Sequence, residues 1–374
     1  MSVRFTPFHS RTAASNPFNR WTARNGFTLP LDFGDATAEA LCARTRVTMS
    51  DISWRWRVVI QGASACDMLT RVLTRDPRTL QPGQSIKALW LNDGGAVRGA
   101  GVVSCLASDK FLLTSAASDL AWMAAAASLS GNAIQDVTAD EGGLALAGPY
   151  AAQTLQSAGL PNDIEPLGLR KIFWRGLDLT ITRWGEHGGY ELWCKADDCP
   201  ILWDRVIRAG AAFGIQAAGI AASDILDVEA GVPRPNRDYA CAADGFGRDP
   251  TPDSVGLESL IDTAHAIFNG RAAWMANRSK SKAVLIGVEL ESEVPASFTP
   301  LQFDKKIVGN TLTSVYSPLL RRAIALARID RSLSKDGMGL TVVPPVSLES
   351  PEPREIVARV RSLPFVESPP NIPR

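Results

Sequence analysis

The chain has 374 residues, of which 45% are hydrophobic and 21% are charged, so it can fold into two or three globular domains and does not have the composition of a disordered protein. Lysine plus arginine and aspartate plus glutamate are equal at 39 each, so no overall positive field would attract a nucleic acid or an anionic membrane. Because no apolar run approaches the roughly 20 residues of a membrane span and the N-terminus lacks the apolar stretch of a signal peptide, we expect a cytoplasmic protein.

The first part of the chain predicts short strands that alternate with helices. A Gly-rich turn, Asp93 to Gly95, separates two apolar runs and therefore predicts a β-hairpin, since these residues favour positive φ. The predicted elements, in chain order, are a strand at 57–60, a helix at 63–73, the hairpin at 89–106, a strand at 110–116 and a helix at 118–128.

From residue 144 a similar mixture begins again and then changes to strands only. The predicted elements are a strand at 144–148, a helix at 150–159, strands at 177–185 and 189–194, helices at 201–212 and 221–230, and strands at 283–291, 305–315 and 323–329. Beyond residue 344 the chain is rich in proline and is predicted to be extended, with a short helix at 355–361. Strand, helix and hairpin units of this kind indicate an α+β fold rather than a doubly wound parallel sheet.

Two further patterns predict structural rather than chemical roles. The six cysteines are scattered without a CxxC pair and only three histidines accompany them, which predicts free thiols and no metal centre. In SWRWRVV, residues 53–59, strand alternation places Trp54 and Trp56 on a core face, with Arg55 and Arg57 on a solvated face. A platform for nucleic acid is the less favoured interpretation of this stretch.

Several motifs, taken together, resemble the folate-dependent aminomethyltransferases, that is, the glycine cleavage T-protein and the demethylases related to it. The resemblance rests on LPLDFG (29–34), DIS (51–53), LNDGGAV (91–97), LALAGPYA (144–151), WGEHGGYEL (184–192), DILDVEAGVP (224–233), TPDSVGL (251–257), FNGRAA (268–273) and VGNTLTSVYSPLLRRAIALARI (308–329). It implies a T-protein-like ring of three domains around a central folate and substrate channel, with a C-terminal β-barrel.

The resemblance also implies domain boundaries. Residues 1–275 would form the folate-binding region, built from two interleaved α+β domains at roughly 1–50 plus 140–275 and at 51–139. Residues 283–345 would form the barrel, and 346–374 would form an extended tail.

In the resembling family a glutamate of the GYE segment binds the pterin of tetrahydrofolate, and here that residue is Glu191. A carboxylate can accept two hydrogen bonds from a pterin, one from the amino group and one from a ring N–H. Gly188 and Gly189 would allow the backbone to turn closely beside this cofactor. A solvated hairpin end is the alternative interpretation of the same residues.

Two departures from the family pattern concern the chemistry. The hairpin aspartate of the family falls on Arg98 or on the next residue here, so Arg98 is predicted to hold a substrate carboxylate, the alternative being a surface arginine. Trp184 replaces a tyrosine found in related demethylases and would stack on the substrate. His187 and Tyr239 are then the candidate proton donors, each with a structural role as its alternative.

The helix that carries DILDVEAG has an aspartate, Asp227, where the family usually has arginine. Together with Asp224 and Glu229 it predicts an acidic surface network balanced by Arg234 and Arg237.

The predicted function is transfer of a methyl group to tetrahydrofolate from an O-, S- or N-methylated carboxylic acid, a methoxylated aromatic acid being one candidate. The alternative from another class is a cofactor-independent lyase or decarboxylase of an aromatic acid on the same fold. A non-catalytic folate-binding protein is a third possibility. We expect a small-molecule carboxylic acid as partner, and neither nucleic acid nor membrane.

Overall fold

The structure is a computed structural model that describes residues 4–183, 189–241, 250–278, 280–344 and 355–367. The strands are β1 (Arg4–Phe5), β2 (Trp21–Arg24), β3 (Phe27–Pro30), β4 (Thr48–Asp51), β5 (Trp56–Gln61), β6 (Ser85–Leu91), β7 (Val97–Ala107), β8 (Lys110–Ser115), β9 (Ala133–Asp136), β10 (Glu141–Ala147), β11 (Leu169–Trp174), β12 (Leu177–Thr182), β13 (Tyr190–Lys195), β14 (Gln216–Ala217), β15 (Ala283–Leu290), β16 (Pro300–Phe303), β17 (Lys306–Ser317), β18 (Arg322–Asp330), β19 (Gly339–Val342) and β20 (Ile356–Arg361).

The helices connect these strands. They are α1 (His9–Ala14), α2 (Ala36–Thr45), α3 (Ala65–Val72), α4 (Leu120–Leu129), α5 (Ala151–Ala158), α6 (Cys199–Gly210), α7 (Ile220–Glu229) and α8 (Arg271–Asn277). Local chemistry sets several of their ends. The Asp35 carboxylate accepts hydrogen bonds from the backbone N–H groups of Thr37 and Ala38 and so caps α2. Gly159 ends α5 in the left-handed conformation, with φ of 74°.

Three sheets and a barrel form the described part of the chain. One sheet has six strands in the order β11-β12-β13-β10-β4-β14, a second has five in the order β6-β7-β8-β5-β9, and a third is small, with the order β1-β3-β2. The barrel is closed, with the order β15-β18-β17-β16-β19-β20. This mixture of sheets, helices and a C-terminal barrel confirms the predicted α+β class.

Each large sheet packs helices on one face. Leu155 of α5 and Leu202 of α6 are fully buried against the six-stranded sheet, and Leu69 of α3 and Met123 of α4 are buried against the five-stranded one. A leucine side chain that is fully buried in this way contributes about 1.5–3 kcal/mol to stability. These two cores fix the helices against the sheets.

The hairpin predicted at 89–106 is β6 followed by β7, although of the three turn residues only Gly95 has a positive φ, at 80°. A side chain at Gly95 would also collide with the backbone of Trp274 in the middle of α8. This turn therefore requires glycine both for its conformation and for its contact with α8.

The helix predicted at 355–361 is wrong. Ile356–Arg361 is strand β20, which pairs with β15 and β19 and closes the barrel. Its residues alternate buried and exposed, with Ile356, Ala358 and Val360 pointing into the barrel core. The barrel therefore includes residues that were predicted to lie in an extended tail. Hydrogen bonding to the edges of β15 and β19 outweighs the helical preference of these six residues.

The solvated face predicted for Arg55 and Arg57 is also wrong, since both side chains are buried. Trp56 packs in the core of the five-stranded sheet, as the alternation predicted, but the opposite face is covered too. The guanidinium of Arg57 lies 3.8 Å from the ring centroid of Trp193 on β13 and pairs with Glu141 on β10 at 2.8 Å. The six-stranded sheet, to which β10 and β13 belong, covers the Arg57 side chain. The sequence pattern of β5 alone cannot reveal this second sheet.

Candidate functional site

A cavity of about 410 Å³ lies where the five-stranded sheet, the segment after α7 and the barrel meet. Residues of β6, β7 and β8 form one wall, residues 230–235 form another, and Leu285 of β15 contributes from the barrel. Its volume falls in the range of roughly 300–1,000 Å³ that is typical of small-molecule sites. We call this space the central cavity.

Three cationic side chains line the central cavity, namely Arg55, Lys87 and Arg234. Among the described residues that line it, none carries a carboxylate. Much of the remaining wall is small or apolar and includes Val102 and Leu257. The cavity therefore combines an apolar wall with a cationic one.

Glu191, the predicted pterin ligand, is fully buried and does not line the central cavity. Its Oε1 atom accepts a hydrogen bond from Arg55 Nη1 at 2.5 Å, and its Oε2 atom accepts one from Trp193 Nε1 at 3.1 Å. It lines a second cavity of only about 60 Å³, which Arg55 also lines. In this geometry Glu191 is the counter-ion of Arg55 and does not reach a ligand-sized space.

Tyr239 lines the central cavity and is 6% exposed. Its hydroxyl has no hydrogen-bond partner among the described residues. Burial, helped by the neighbouring Cys241 and Asp238, raises the pKa of Tyr239 well above its usual value. A buried hydroxyl without a partner costs free energy, so a polar ligand that bonds to it would recover part of that cost. Tyr239 therefore lies at the wall of the central cavity, and its role as a proton donor stays a prediction.

The structure does not bring Arg98 to either cavity, which corrects its assignment as a substrate anchor. Its Nε and Nη2 atoms donate to the two carboxylate oxygens of Asp119 at 2.9 and 2.7 Å. The same carboxylate accepts a hydrogen bond from Trp90, and the guanidinium lies 5.0 Å from the ring centroid of Trp122. Arg98 therefore already holds a carboxylate of its own chain.

The acidic network around α7 is buried, so its assignment to the surface is wrong. Asp227 and Glu229 are each 1% exposed. Asp227 accepts a bidentate pair from Arg234 at 2.7 and 2.8 Å, and Glu229 pairs with Arg44 of α2 at 2.7 Å. A buried carboxylate requires such partners because removal from water penalises its charge.

Three of the predicted site residues, Trp184, His187 and Gly188, lie outside the described residues. Gly189 is described, and it lines the small cavity beside Glu191. Within the described ranges there is no group of three or more His, Cys, Asp or Glu side chains that could hold a metal ion. In the same part of the chain, no helix has both the length and the apolar character needed to span a membrane.

Gly189 is needed because β10 approaches it closely, not because of a left-handed conformation. A Cβ atom at this position would collide with the carbonyl oxygen of Leu146. We therefore expect Gly189→Ala to lower the free energy of unfolding by about 1–3 kcal/mol in urea denaturation, the usual cost of overpacking. Gly339→Ala is the matched control, since a Cβ there meets nothing within 4 Å. Equal stabilities of the two variants would contradict the close approach.

Sequence reasoning missed Arg55 and Lys87 as cavity residues. Lys87 had one visible signal, because it is the only charged residue in the strand SIKALWL, where a charge inside an apolar run requires a polar environment. Arg55 had none, since its neighbour Arg57 shows the same local pattern and does not line the cavity. Arg234 had been recognised only as a partner of the acidic residues.

Comparisons with known proteins agree on one family. The family model of the GCVT N-terminal domain matches residues 8–263. An aminomethyltransferase of Halalkalibacterium halodurans is 28% identical over 356 residues, which cover 91% of this chain and 92% of that protein. An aminomethyltransferase of Frankia alni is 29% identical over 322 residues, which cover 83% of this chain and 86% of that protein.

A solved structure has the same fold. The crystal structure of glycine cleavage system aminomethyltransferase T from Bartonella henselae matches with a TM-score of 0.86, at 22% identity, over 98% of this chain and 99% of that chain. The match extends through the barrel, so the T-protein-like architecture expected from the sequence motifs is confirmed.

Proposed function

The chain belongs to the aminomethyltransferase family defined by the GCVT domain, and from that premise we propose that it is a tetrahydrofolate-dependent methyltransferase or demethylase of a methylated carboxylic acid. The observation that carries the proposal is the open central cavity, whose wall is cationic on one side and apolar on the other. An acid with an O-, S- or N-methyl group matches both walls, and a methoxylated aromatic acid matches them especially well.

The residues of the central cavity fit a folate-sized ligand in volume and polarity. The cavity has about 410 Å³ of space, an apolar wall that includes Val102 and Leu257, and the buried Tyr239 hydroxyl as a polar contact. Glu191 is the exception, because its carboxylate faces Arg55 and Trp193. Tyr239 and Thr114, which also lines the cavity, are therefore the side chains that we assign to the ligand.

The chemistry needs an acceptor for the methyl group and a proton for the heteroatom that loses it. Tetrahydrofolate, when bound, supplies the acceptor amine. Tyr239 would hold this proton, because it lines the central cavity and its buried hydroxyl has no hydrogen-bond partner among the described residues. Tyr239 would place this proton beside the oxygen, sulfur or nitrogen that loses the methyl group, and the acceptor amine, which gives up a proton on methylation, would supply its replacement.

A second candidate function is a cofactor-independent lyase or decarboxylase of an aromatic acid. The observation that favours it is the pairing of Glu191 with Arg55, because a carboxylate used in this way no longer serves a pterin. Such an enzyme would consume its acid in the absence of folate, whereas methyl transfer requires a stoichiometric acceptor.

Binding of the cofactor gives the first test. We expect tetrahydrofolate at 100 times its dissociation constant to raise the free energy of unfolding by about 2.7 kcal/mol, because a ligand that binds only the folded state stabilises it by mass action. Thermal unfolding of the full chain, measured with and without the cofactor, would record this as a rise in Tm.

Measurement of turnover gives the second test of the proposed function. Para-methoxybenzoate and methylthiopropionate would each be incubated with enzyme and tetrahydrofolate, and methyltetrahydrofolate would be measured together with the demethylated acid. Fully oxidised folate is the control, since it lacks the acceptor amine and should support no transfer. Loss of the acid without any folate would favour the lyase. If tetrahydrofolate caused no change in stability and no methylated product formed, the proposed function would be refuted.

A further inference from the structure

The segment that follows β20 forms part of the wall of the central cavity. Leu363 and Pro364 line this cavity, as does Leu285 of β15. Leu285 and Leu363 also pack against one apolar cluster, which consists of Val228, Leu312, Ile324 and Leu326. The match to the GCVT N-terminal domain ends at residue 263, so this wall of the cavity is built by a part of the chain outside that domain.

Hydrogen bonds on both sides of Leu363 fix the segment in place. The backbone N–H of Ser362 donates to Asp336 Oδ1 at 2.8 Å. The backbone N–H of Val366 donates to the carbonyl oxygen of Glu229, at the end of α7, at 2.9 Å. Leu363 is therefore held between two anchored neighbours, and its side chain belongs to a fixed wall rather than to a loose tail.

The backbone after α7 packs directly against Leu363. A Cβ atom at Gly231 would lie 3.0 Å from the Cβ atom of Leu363, which is closer than ordinary van der Waals contact. Gly231 itself lines the central cavity. Because Gly231 has no side chain, Leu363 can approach this closely and can supply the aliphatic surface at this point of the wall.

We infer that Leu363 is a specificity-determining residue, which limits the size of the hydrocarbon body that the central cavity accepts. The inference rests on the proposed function for the statement that the ligand is a methylated carboxylic acid. An aliphatic wall suits the hydrocarbon of such an acid, whereas it would leave the donors and acceptors at the edge of a pterin unpaired. An apolar pocket distinguishes ligands that differ by one methylene group by roughly 10- to 200-fold.

The test uses acids that differ in the hydrocarbon between two constant groups. Methoxyacetate, para-methoxybenzoate and 6-methoxy-2-naphthoate each carry one carboxylate and one methoxy group. Their relative affinities therefore report on the size of the body rather than on how the carboxylate is bound. Isothermal titration of the full chain, without folate, would give the ratio of the affinity for the naphthoate to the affinity for the benzoate.

Two substitutions of Leu363 should shift this ratio in opposite directions. Leu363→Ala removes most of the side chain and should raise the ratio by about 10-fold or more, whereas Leu363→Phe narrows the cavity and should lower it. Leu319→Ala is the matched control and should keep the wild-type ratio, because Leu319 is 45% exposed and lines neither cavity. Leu363 is only half-buried, so both variants should fold, and circular dichroism would check this.

Three results would overturn the inference, and they differ in what they say about the proposed function. If folded Leu363→Ala and Leu363→Phe both kept the wild-type ratio, Leu363 would not select the acid. If they changed the affinity for tetrahydrofolate and not for the acids, Leu363 would belong to the cofactor site and methyl transfer would be untouched. If none of the three acids bound the wild type, the inference would fall together with its premise. The expected shift in a chain that transfers no methyl group would instead keep the role of Leu363 and remove the proposed function.

Discussion

Replacing Tyr239 by phenylalanine should lower the rate of methyl transfer by roughly 10²- to 10⁴-fold, the usual contribution of a positioned proton donor. The reason is that the Tyr239 hydroxyl lines the central cavity and is buried without a partner among the described residues. For the same reason the substitution removes no hydrogen bond and should leave the free energy of unfolding unchanged or slightly higher. Single-turnover measurement of methyltetrahydrofolate would record the rate.

Tyr190, the other buried tyrosine among the described residues, is the matched control. The Tyr190 hydroxyl donates to the backbone carbonyl of Asn162 at 2.8 Å, and Tyr190 does not line the central cavity. Tyr190→Phe should therefore cost about 1 kcal/mol of stability and keep the wild-type rate. If Tyr239→Phe transferred methyl groups as fast as Tyr190→Phe does, Tyr239 would not be the proton donor.

Replacing Arg55 by methionine should lower the free energy of unfolding by about 3–5 kcal/mol, the cost of leaving a buried ion without its partner. Glu191 is fully buried, and of its two described hydrogen bonds only the one from Arg55 comes from a charged group. Denaturation in urea would measure the change. Arg170→Met is the control, because the pair of Arg170 with Asp163 is exposed on both sides and should contribute no more than about 1 kcal/mol.

A double variant separates the lost pair from lost packing. Arg55→Met combined with Glu191→Leu removes both charges and should recover much of the stability, since a buried pair is often no better than apolar residues of similar size. A double variant as unstable as Arg55→Met alone would show that the shape of Arg55, rather than its charge, is what matters.

Local sequence patterns predicted most helices and strands, because these elements depend on residues that are close to each other in the sequence. The β6–β7 hairpin, with its turn at Gly95, and the amphipathic α6 both follow from residues a few positions apart. Where local preference and tertiary pairing compete, local patterns fail, as they do for β20, whose six residues form a strand because β15 and β19 accept it. The T-protein-like arrangement itself came from the resemblance of the motifs, not from the spacing of apolar residues.

The sequence by itself determined the α+β class and the family. Only the tertiary structure decided what each charged residue does. Arg98 binds Asp119, Glu191 binds Arg55, and Lys87 joins the central cavity. The physical reason is that a buried charged side chain needs a partner, and the partner decides what the side chain can do. Arg98 and Asp119 are 21 positions apart in sequence, and Arg55 and Glu191 are 136 apart, so only folding brings them together.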